Sequence, residues 1–429
     1  MEKRSLFQNS MRIFCIGIGG IGLSALACYY KHEGHEVTGS DKADSPLIAM
    51  LRKEGISVSI GEEKDVITDD ITMVVYTIAI ADSNSQFIRA KELGIICKTY
   101  PEALGEITKE KKTIAICGTH GKTTTTAMMY YALKACGINP TVIIGSLLSG
   151  TGTNFIAGDS DYMVVEACEY KRSFLNLHPT HVLVTNIDED HLDYYKDIHD
   201  IHDAFQSFAH NVPLDGYLVT HTNVSLETNG KKLDADCVDK KDIELSVLGE
   251  HNKTNAQLVI ALCQELGLPD KKVRDGLKAF KGTWRRLEYK GTTNHGVKVF
   301  DDYGHHPKEL EATISALRTQ YKKGEYTLHV FFQPHLYSRT KMFLSDFAKV
   351  LADVDMVYVM PIYASREKED VTISSNMLVQ EIQNLGGHAE LCVKEEMSHT
   401  IESITDQKSI VLNIGAGDAY LELDKVSYV

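Results

Sequence analysis

The fold class that this sequence predicts is α/β, arranged as three successive domains. Apolar, strand-like runs alternate with helical patterns along the chain, which is how parallel βαβ units read. Three stretches each open with an apolar run that feeds a turn bearing glycine or histidine, at Arg12–Gly17, Thr113–Cys117 and Val297–Phe300. The length, 429 residues, suits about three domains of ordinary size.

In the first stretch, the run to Gly17 leads into a helix through about Glu33. A strand at Glu36–Ser40, a helix over Pro46–Glu54, a strand at Met73–Thr77 and a helix near Asn84–Leu93 follow. The charged segment Glu106–Lys112 reads as a linker. The second stretch runs from Thr113–Cys117 into a long helix ending near Ala135, then strands at Tyr162–Glu166 and His181–Thr185. Asn223–Lys241 reads as a surface loop or hairpin, and helices over Lys253–Leu266 and Lys271–Ala279 close this part. The third has strands at Val297–Phe300, Tyr326–Phe332, Met356–Met360 and Ser409–Ile414.

Composition narrows the function classes. With 43% hydrophobic and 24% charged residues the chain can build sizeable cores and is too apolar for disorder. A net charge of −14 gives no electrostatic support to a nucleic-acid partner. A nucleotide substrate remains open, because local N–H groups and a few cations bind phosphates. Nine scattered cysteines, an odd number with no C-x-x-C pair, read as reduced thiols. No leader segment precedes the first strand and no apolar run reaches membrane-spanning length. The expectation is a soluble cytosolic protein.

Gly17-Ile-Gly-Gly-Ile-Gly22 fits G-x-G-x-x-G between a strand and a helix. Gly17, Gly19, Gly20 and Gly22 would allow a tight turn and the close approach of a diphosphate to a helix N-terminus. Ser40 and Asp41 end the next strand, and Asp41 takes the place of a ribose-binding acid. The unit has only about half the length of a dinucleotide fold, so one nucleotide diphosphate fits it better than NAD. Packing alone is the plainer use of these glycines.

Cys117-Gly-Thr-His-Gly-Lys-Thr-Thr124 also joins a strand to a helix. Full Walker spacing would need glycine where Ile116 stands, so the match is to a shortened G-T-x-G-K-T loop. Gly118, Thr119, His120, Gly121 and Thr124 would cradle phosphates, Lys122 would neutralise the β/γ oxygens, and Thr123 would ligate Mg²⁺. Glu166-Ala-Cys-Glu169 and Thr185-Asn-Ile-Asp-Glu-Asp-His191 end two strands, where open sheets bind ligands. Glu166 and His191 suit a metal beside that loop, with loop capping as the bland alternative. Asn252 and Asn255, three apart at a helix start, share a face. They could read an adenine edge or cap the helix. Asp301-Asp-Tyr-Gly-His-His-Pro307 is too polar for a core, which favours an active site over a surface turn.

In this order, with Trp284-Arg-Arg-Leu-Glu288 and Gln333-Pro-His-Leu-Tyr-Ser-Arg-Thr340, the motifs resemble those of the Mur ligases from Arg12 to about Tyr420. The resemblance implies an N-terminal Rossmann-like UDP-sugar-binding domain at 1–108 and a central P-loop ATPase domain, with a parallel or mixed sheet, at 109–286. A C-terminal Rossmann-like domain at 287–429 would close over ATP and bring in the amino acid. It further implies ligation of L-alanine to UDP-N-acetylmuramic acid with ATP and Mg²⁺ (Mn²⁺ as the alternative), by a monomer or weak homodimer. Lys122, Thr123, Glu166 and His191 take the phosphate and metal roles. Asn252 and Asn255 match the adenine contacts, Arg285 and Arg286 the hinge, and Asp302, Tyr303 and His305 the ATP- and amine-facing residues. Some members carry arginine where Leu336 stands, which leaves Arg339 as the better candidate for the amino-acid carboxylate. Within the family, a ligase adding a murein peptide to the same sugar is the nearest alternative. Outside it stand a nicotinamide-dependent dehydrogenase and a P-loop switch.

Overall fold

The computed structural model describes residues 10–148, 152–365 and 367–429. Residues 1–9, part of the stretch read above as lacking a leader, lie outside them. Contacts divide the chain into two units, residues 1–246 with 254–281, and residues 247–253 with 282–429. Among the described residues the strands form three sheets.

The first unit holds two of these sheets. One contains β1 (Arg12–Ile16), β2 (Glu36–Asp41), β3 (Ser57–Ile60), β4 (Met73–Tyr76) and β5 (Ile96–Thr99), in the order β3-β2-β1-β4-β5. All its neighbours are parallel. Ile13 to Ile16 are buried on both faces of β1, as a central parallel strand requires. Helices α1 (Ile21–His32), α2 (Pro46–Lys53), α3 (Ser85–Glu92) and α4 (Tyr100–Thr108) make the crossovers. Their starts follow local chemistry: Ser45 accepts from Ile48 N–H, Asn84 from Phe87 N–H, and Thr99 with Glu102 forms a capping box. That capping box corrects the linker reading of Glu106–Lys112. Ile107 and Thr108 are the buried face of α4, Lys112 begins the next strand, and only residues 109–111 connect them.

The second sheet contains β6 (Lys112–Cys117), β7 (Thr141–Ile143), β8 (Phe155–Ile156), β9 (Tyr162–Glu166), β10 (His181–Val184), β11 (Tyr217–Thr220) and β12 (Lys231–Asp234). Their order is β12-β11-β10-β6-β9-β7-β8, with β8 alone antiparallel to its neighbour. Helices α5 (Lys122–Ala135), α6 (Ile198–Ala209), α7 (Glu250–Glu265) and α8 (Asp270–Ala279) accompany it. The polar stretch Asn223–Lys241 is neither a plain loop nor a hairpin, since its strand β12 joins β11 in parallel. Its charged residues sit at a sheet edge, where one side faces water.

One apolar cluster runs from Ile13 and Cys15 in the first sheet through Ala115 and Val165 in the second to Phe174 and Phe205. Asn154, wholly buried, ties the sheets together by donating from Nδ2 to Ile21 O at 2.6 Å and Ser24 Oγ at 2.8 Å.

The second unit carries β13 (Glu288–Thr292), β14 (Lys298–Asp302), β15 (Thr327–Phe332), β16 (Met356–Val359), β17 (Ala389–Leu391) and β18 (Ser409–Ile414). Their order is β13-β14-β18-β15-β16-β17, and only β13 runs antiparallel to its neighbour. Helices α9 (Pro307–Gln320), α10 (Tyr337–Met342), α11 (Leu344–Ala352), α12 (Ser375–Asn384) and α13 (Met397–Ser403) complete it. No described helix is long and apolar enough to cross a membrane. All nine cysteines are free thiols.

Gly105 of α4 packs directly on the chain at Asn176, and a Cβ there would collide with the Asn176 carbonyl. Gly105→Ala is expected to lower stability by about 1–3 kcal/mol, the usual cost of overpacking, read as a reduced urea midpoint.

Candidate functional site

The glycine turn after β1 is built for close approach. Gly17 has φ +80°, and a side chain there would meet Thr77 Cγ2 at 2.5 Å. Gly20 caps α1 and donates its own N–H to Gly17 O at 3.1 Å. Gly22 lies under the Tyr100 ring, with 2.7 Å from a built Cβ to Cζ. Asp41 Oδ2 accepts from Gly19 N–H at 2.8 Å, so this acid stands at the turn itself. Ser40 lies beneath it: its carbonyl accepts from Gly17 and Ile18 N–H, and its buried hydroxyl donates to Gln86 Oε1 at 2.6 Å.

The second glycine loop joins β6 to α5. Gly118 has φ +134°, and any Cβ would collide with Thr185 Oγ1 at the end of β10. That contact is one of a set bracing the loop. Thr185 Oγ1 donates to His120 O at 2.5 Å, and Asn186 Nδ2 donates to the same carbonyl at 3.0 Å. Asn186 Oδ1 accepts from His120 N–H at 2.9 Å, and Thr119 Oγ1 accepts from Asp188 N–H at 2.9 Å. Gly121 caps α5 without a side chain. The first-turn N–H groups of α5, including Thr123 and Thr124, have no intrahelical acceptor and point to where an anion binds. Asn255 also reaches this loop, its Oδ1 lying 2.8 Å from a Cβ built on Gly121.

Two carboxylates stand at the end of β9, Glu166 as its last residue and Glu169 just beyond, and they divide the labour. Glu166 Oε1 accepts from Thr123 Oγ1 at 3.0 Å and its Oε2 from Gly145 N–H at 2.8 Å. Glu169, only 2% exposed, instead accepts from Lys122 Nζ at 2.9 Å. Burial pulls the Lys122 ammonium down, but Glu169 and its neighbours more than offset this and hold it above the ordinary lysine value. His191 faces Glu169, with Nε2 3.7 Å from Oε1. His191 thus stands beside Glu169, the second acid of the Glu166–Glu169 motif. Among the described residues no three His, Cys, Asp or Glu side chains gather into a ready-made metal cluster. Thr185 and Asn186, which brace the loop, and Glu169, which takes the lysine, stand inside the motifs that end β10 and β9, and spacing alone does not single them out.

In the second unit Asn252 Nδ2 donates back to Leu248 O at 2.6 Å at the start of α7. Arg285 is almost fully buried, with Nε on Asp301 Oδ2 at 2.9 Å, Nη1 on Gly417 O at 3.2 Å and Nη2 on Gly415 O at 2.5 Å. Its guanidinium lies over the Tyr303 and Tyr420 rings. The structure thus places Arg285 inside the unit, whereas Arg286 is part-exposed and also lies against Tyr303. Asp302 accepts from Gly304 and Leu287 N–H, both at 2.7 Å. Burial pushes its carboxyl up to about 6 against the pull of Arg286 and these N–H groups.

His305, His335 and Arg339 come together at the ends of β14 and β15. The His305 and His335 rings lie 5.8 Å apart, and Arg339 Nη1 is 3.1 Å from His335 Nδ1. Leu336 is buried at φ +70°, so this non-glycine residue carries a strained turn beside Arg339. His335, four residues before Arg339, is the member of this group that the motif alone does not single out.

With this geometry in hand, family comparisons define the class. The chain matches the Mur ligase family, catalytic domain, over residues 12–112, the Mur ligase middle domain over 116–232, and the Mur ligase, glutamate ligase domain over 285–417. The chain belongs to the Mur ligase family. A UDP-N-acetylmuramate–L-alanine ligase of Caldicellulosiruptor saccharolyticus is 38% identical, covering 95% of this chain and 96% of the relative. That of Caldanaerobacter subterraneus is 40% identical, covering 96% of each. The crystal structure of UDP-N-acetylmuramate–alanine ligase from Thermotoga maritima superposes with a TM-score of 0.82 at 27% identity, covering 97% of this chain and 98% of that one.

Asn186→Ala removes two of the three side-chain braces on the His120 backbone and leaves that of Thr185, and nucleotide affinity is expected to fall about tenfold, the equivalent of roughly 1.4 kcal/mol, by calorimetry. Asp302 gives a pH signature. Its folded value, about 6, lies above the ordinary 3.8, so the folded chain binds more protons between them and stability declines as pH rises through that window. Asp302→Asn is expected to flatten this decline in urea unfolding measured across the same range.

Proposed function

We propose that this protein is a cytoplasmic ligase that uses ATP to join L-alanine to the lactyl carboxylate of UDP-N-acetylmuramic acid, with Mg²⁺. The observation that carries this reading is the nearly end-to-end match, through all three sheets, to relatives of that activity at 37% to 40% identity.

The chemistry follows from the residues in place. The glycine turn at Gly17–Gly22, with Asp41 beside it, takes the uridine diphosphate. The loop from Gly118 to Thr124 holds the ATP phosphates, and Lys122 withdraws charge from the γ-phosphate as the sugar carboxylate attacks it, giving an acyl phosphate and ADP. Thr123 and Glu166 present a hydroxyl and a carboxylate oxygen 3.0 Å apart, a hard-oxygen pair that fits Mg²⁺. These two, with His191, would hold it. When bound, Mg²⁺ supplies further neutralisation of the phosphate oxygens.

Alanine then attacks the acyl carbonyl and phosphate leaves. Arg339 takes the alanine carboxylate, and its neighbour His335 sets the guanidinium's direction. His305 is the base for the amine proton. Its Nδ1 lies 3.1 Å from the Tyr303 carbonyl, which can only accept, so in the neutral ring Nε2 carries the lone pair.

Phosphate release with UDP-N-acetylmuramate and ATP, scanned across the amino acids, tests the reading; alanine should give the highest rate, and no release with any amino acid would overturn it. Lys122→Ala is expected to cut turnover by about three orders of magnitude or more. A folded variant within about tenfold of the parent rate would remove the phosphate role of this loop.

A further inference from the structure

The Lys122 ammonium has three donors, and in this structure all three meet protein acceptors. Gly118 O lies at 2.6 Å, Thr119 O at 3.0 Å and Glu169 Oε1 at 2.9 Å. A phosphate that takes this ammonium must displace at least one of them. The carbonyls belong to the loop and move with it. Glu169 stands at the end of another strand and carries a charge.

That charge has little other support. Glu169 is 2% exposed, and its Oε2 has no hydrogen-bond partner. His191 Nε2 comes no nearer than 3.7 Å to Oε1, and His191 Nδ1 is likewise buried and unpartnered. The carboxylate also has little freedom to turn towards water. Lys171, Arg172 and His191 all adopt positive φ, at 51°, 56° and 54°, although none is glycine. The strained corner is locked by Arg172 Nη2 on Asp200 Oδ1 at 2.6 Å and by Tyr195 OH donating to Glu169 O at 2.5 Å. The Tyr170 ring packs 4.9 Å from that of His191. Backbone strain held in place this firmly gathers where a side chain must be presented in one orientation.

We propose that Glu169 is a positioning residue that parks Lys122 and makes nucleotide binding depend on a divalent cation. Release of Lys122 to phosphate strands a buried carboxylate, which is costly. A cation drawn to the unpartnered Oε2 offsets that cost, so phosphate and cation bind with positive coupling. The inference rests on the reading of Lys122 as the phosphate lysine, and not on which amino acid is ligated.

The test is calorimetry of a non-hydrolysable ATP analogue with the full chain, in EDTA and in Mg²⁺. Glu169→Gln is expected to bind the analogue about tenfold more tightly than the parent in EDTA, and to lose about tenfold of the Mg²⁺ enhancement. An unchanged affinity in EDTA with an unchanged Mg²⁺ enhancement overturns the proposal and leaves Glu169 as a structural acid. Lys122→Met supplies a readout without nucleotide. It should melt at lower temperature in EDTA and recover with Mg²⁺, and the double variant with Glu169→Gln should recover in EDTA. A double variant no more stable than Lys122→Met also overturns it. Should the parent show no alanine-dependent turnover while Glu169→Gln behaves as expected, the coupling stands and the substrate reading falls.

Discussion

The constraint on which the first unit depends is the absence of side-chain volume between the loop at Gly118 and the end of β10. Backbone meets Thr185 there with no room for a Cβ. Only that approach lets Thr185 and Asn186 hold the His120 backbone from both sides. A loop held this way presents its N–H groups in one arrangement, so an incoming anion need not order it. The parallel order of the strands brings β6, β9 and β10 side by side with their carboxyl ends together. The loop, the two acids and the Thr185–Asn186 brace therefore share one crevice.

Electrostatics in that crevice are arranged around burial. Glu169 is buried and the Lys122 ammonium nearly so, and each of these two charges needs a partner supplied by the fold. Glu166 is served by a hydroxyl and a backbone N–H, neither of which carries charge. Glu169 is served by the lysine. Two acids three residues apart thus have different partners, and with them different uses.

The second unit solves the same problem with a hub. Arg285 sits at φ +55°, its donors engaged by Asp301 and the carbonyls of Gly415 and Gly417. Asn413 Nδ2 donates to the other oxygen of Asp301 at 2.7 Å. A buried guanidinium with every neighbour in place specifies one arrangement, while loss of any partner leaves an unpaired charge. Here that arrangement fixes where β14 ends, and so where Asp302, Tyr303 and His305 emerge.

Much of this was legible in the sequence for a physical reason. Strands buried on both faces need unbroken apolar runs, and tight strand-to-helix turns need glycine. Gly17–Gly22, Gly118–Thr124 and the strands β9, β10 and β18 therefore announced themselves locally. The weak elements did not. The strand β12 is charged because it lies at an edge, and α4 hides its buried face among charged neighbours. Nor could spacing say which acid after β9 meets Lys122, or that Ser40 turns inward to Gln86 and Arg285 to Asp301. Those outcomes depend on the register of β9 against β6, where Glu166 lies level with Ile116, and on the strained corner beyond it. Local chemistry along the chain determined which groups were present. Their pairing was left to the packed structure, because burial makes each charge take whichever partner the neighbouring strands bring within reach.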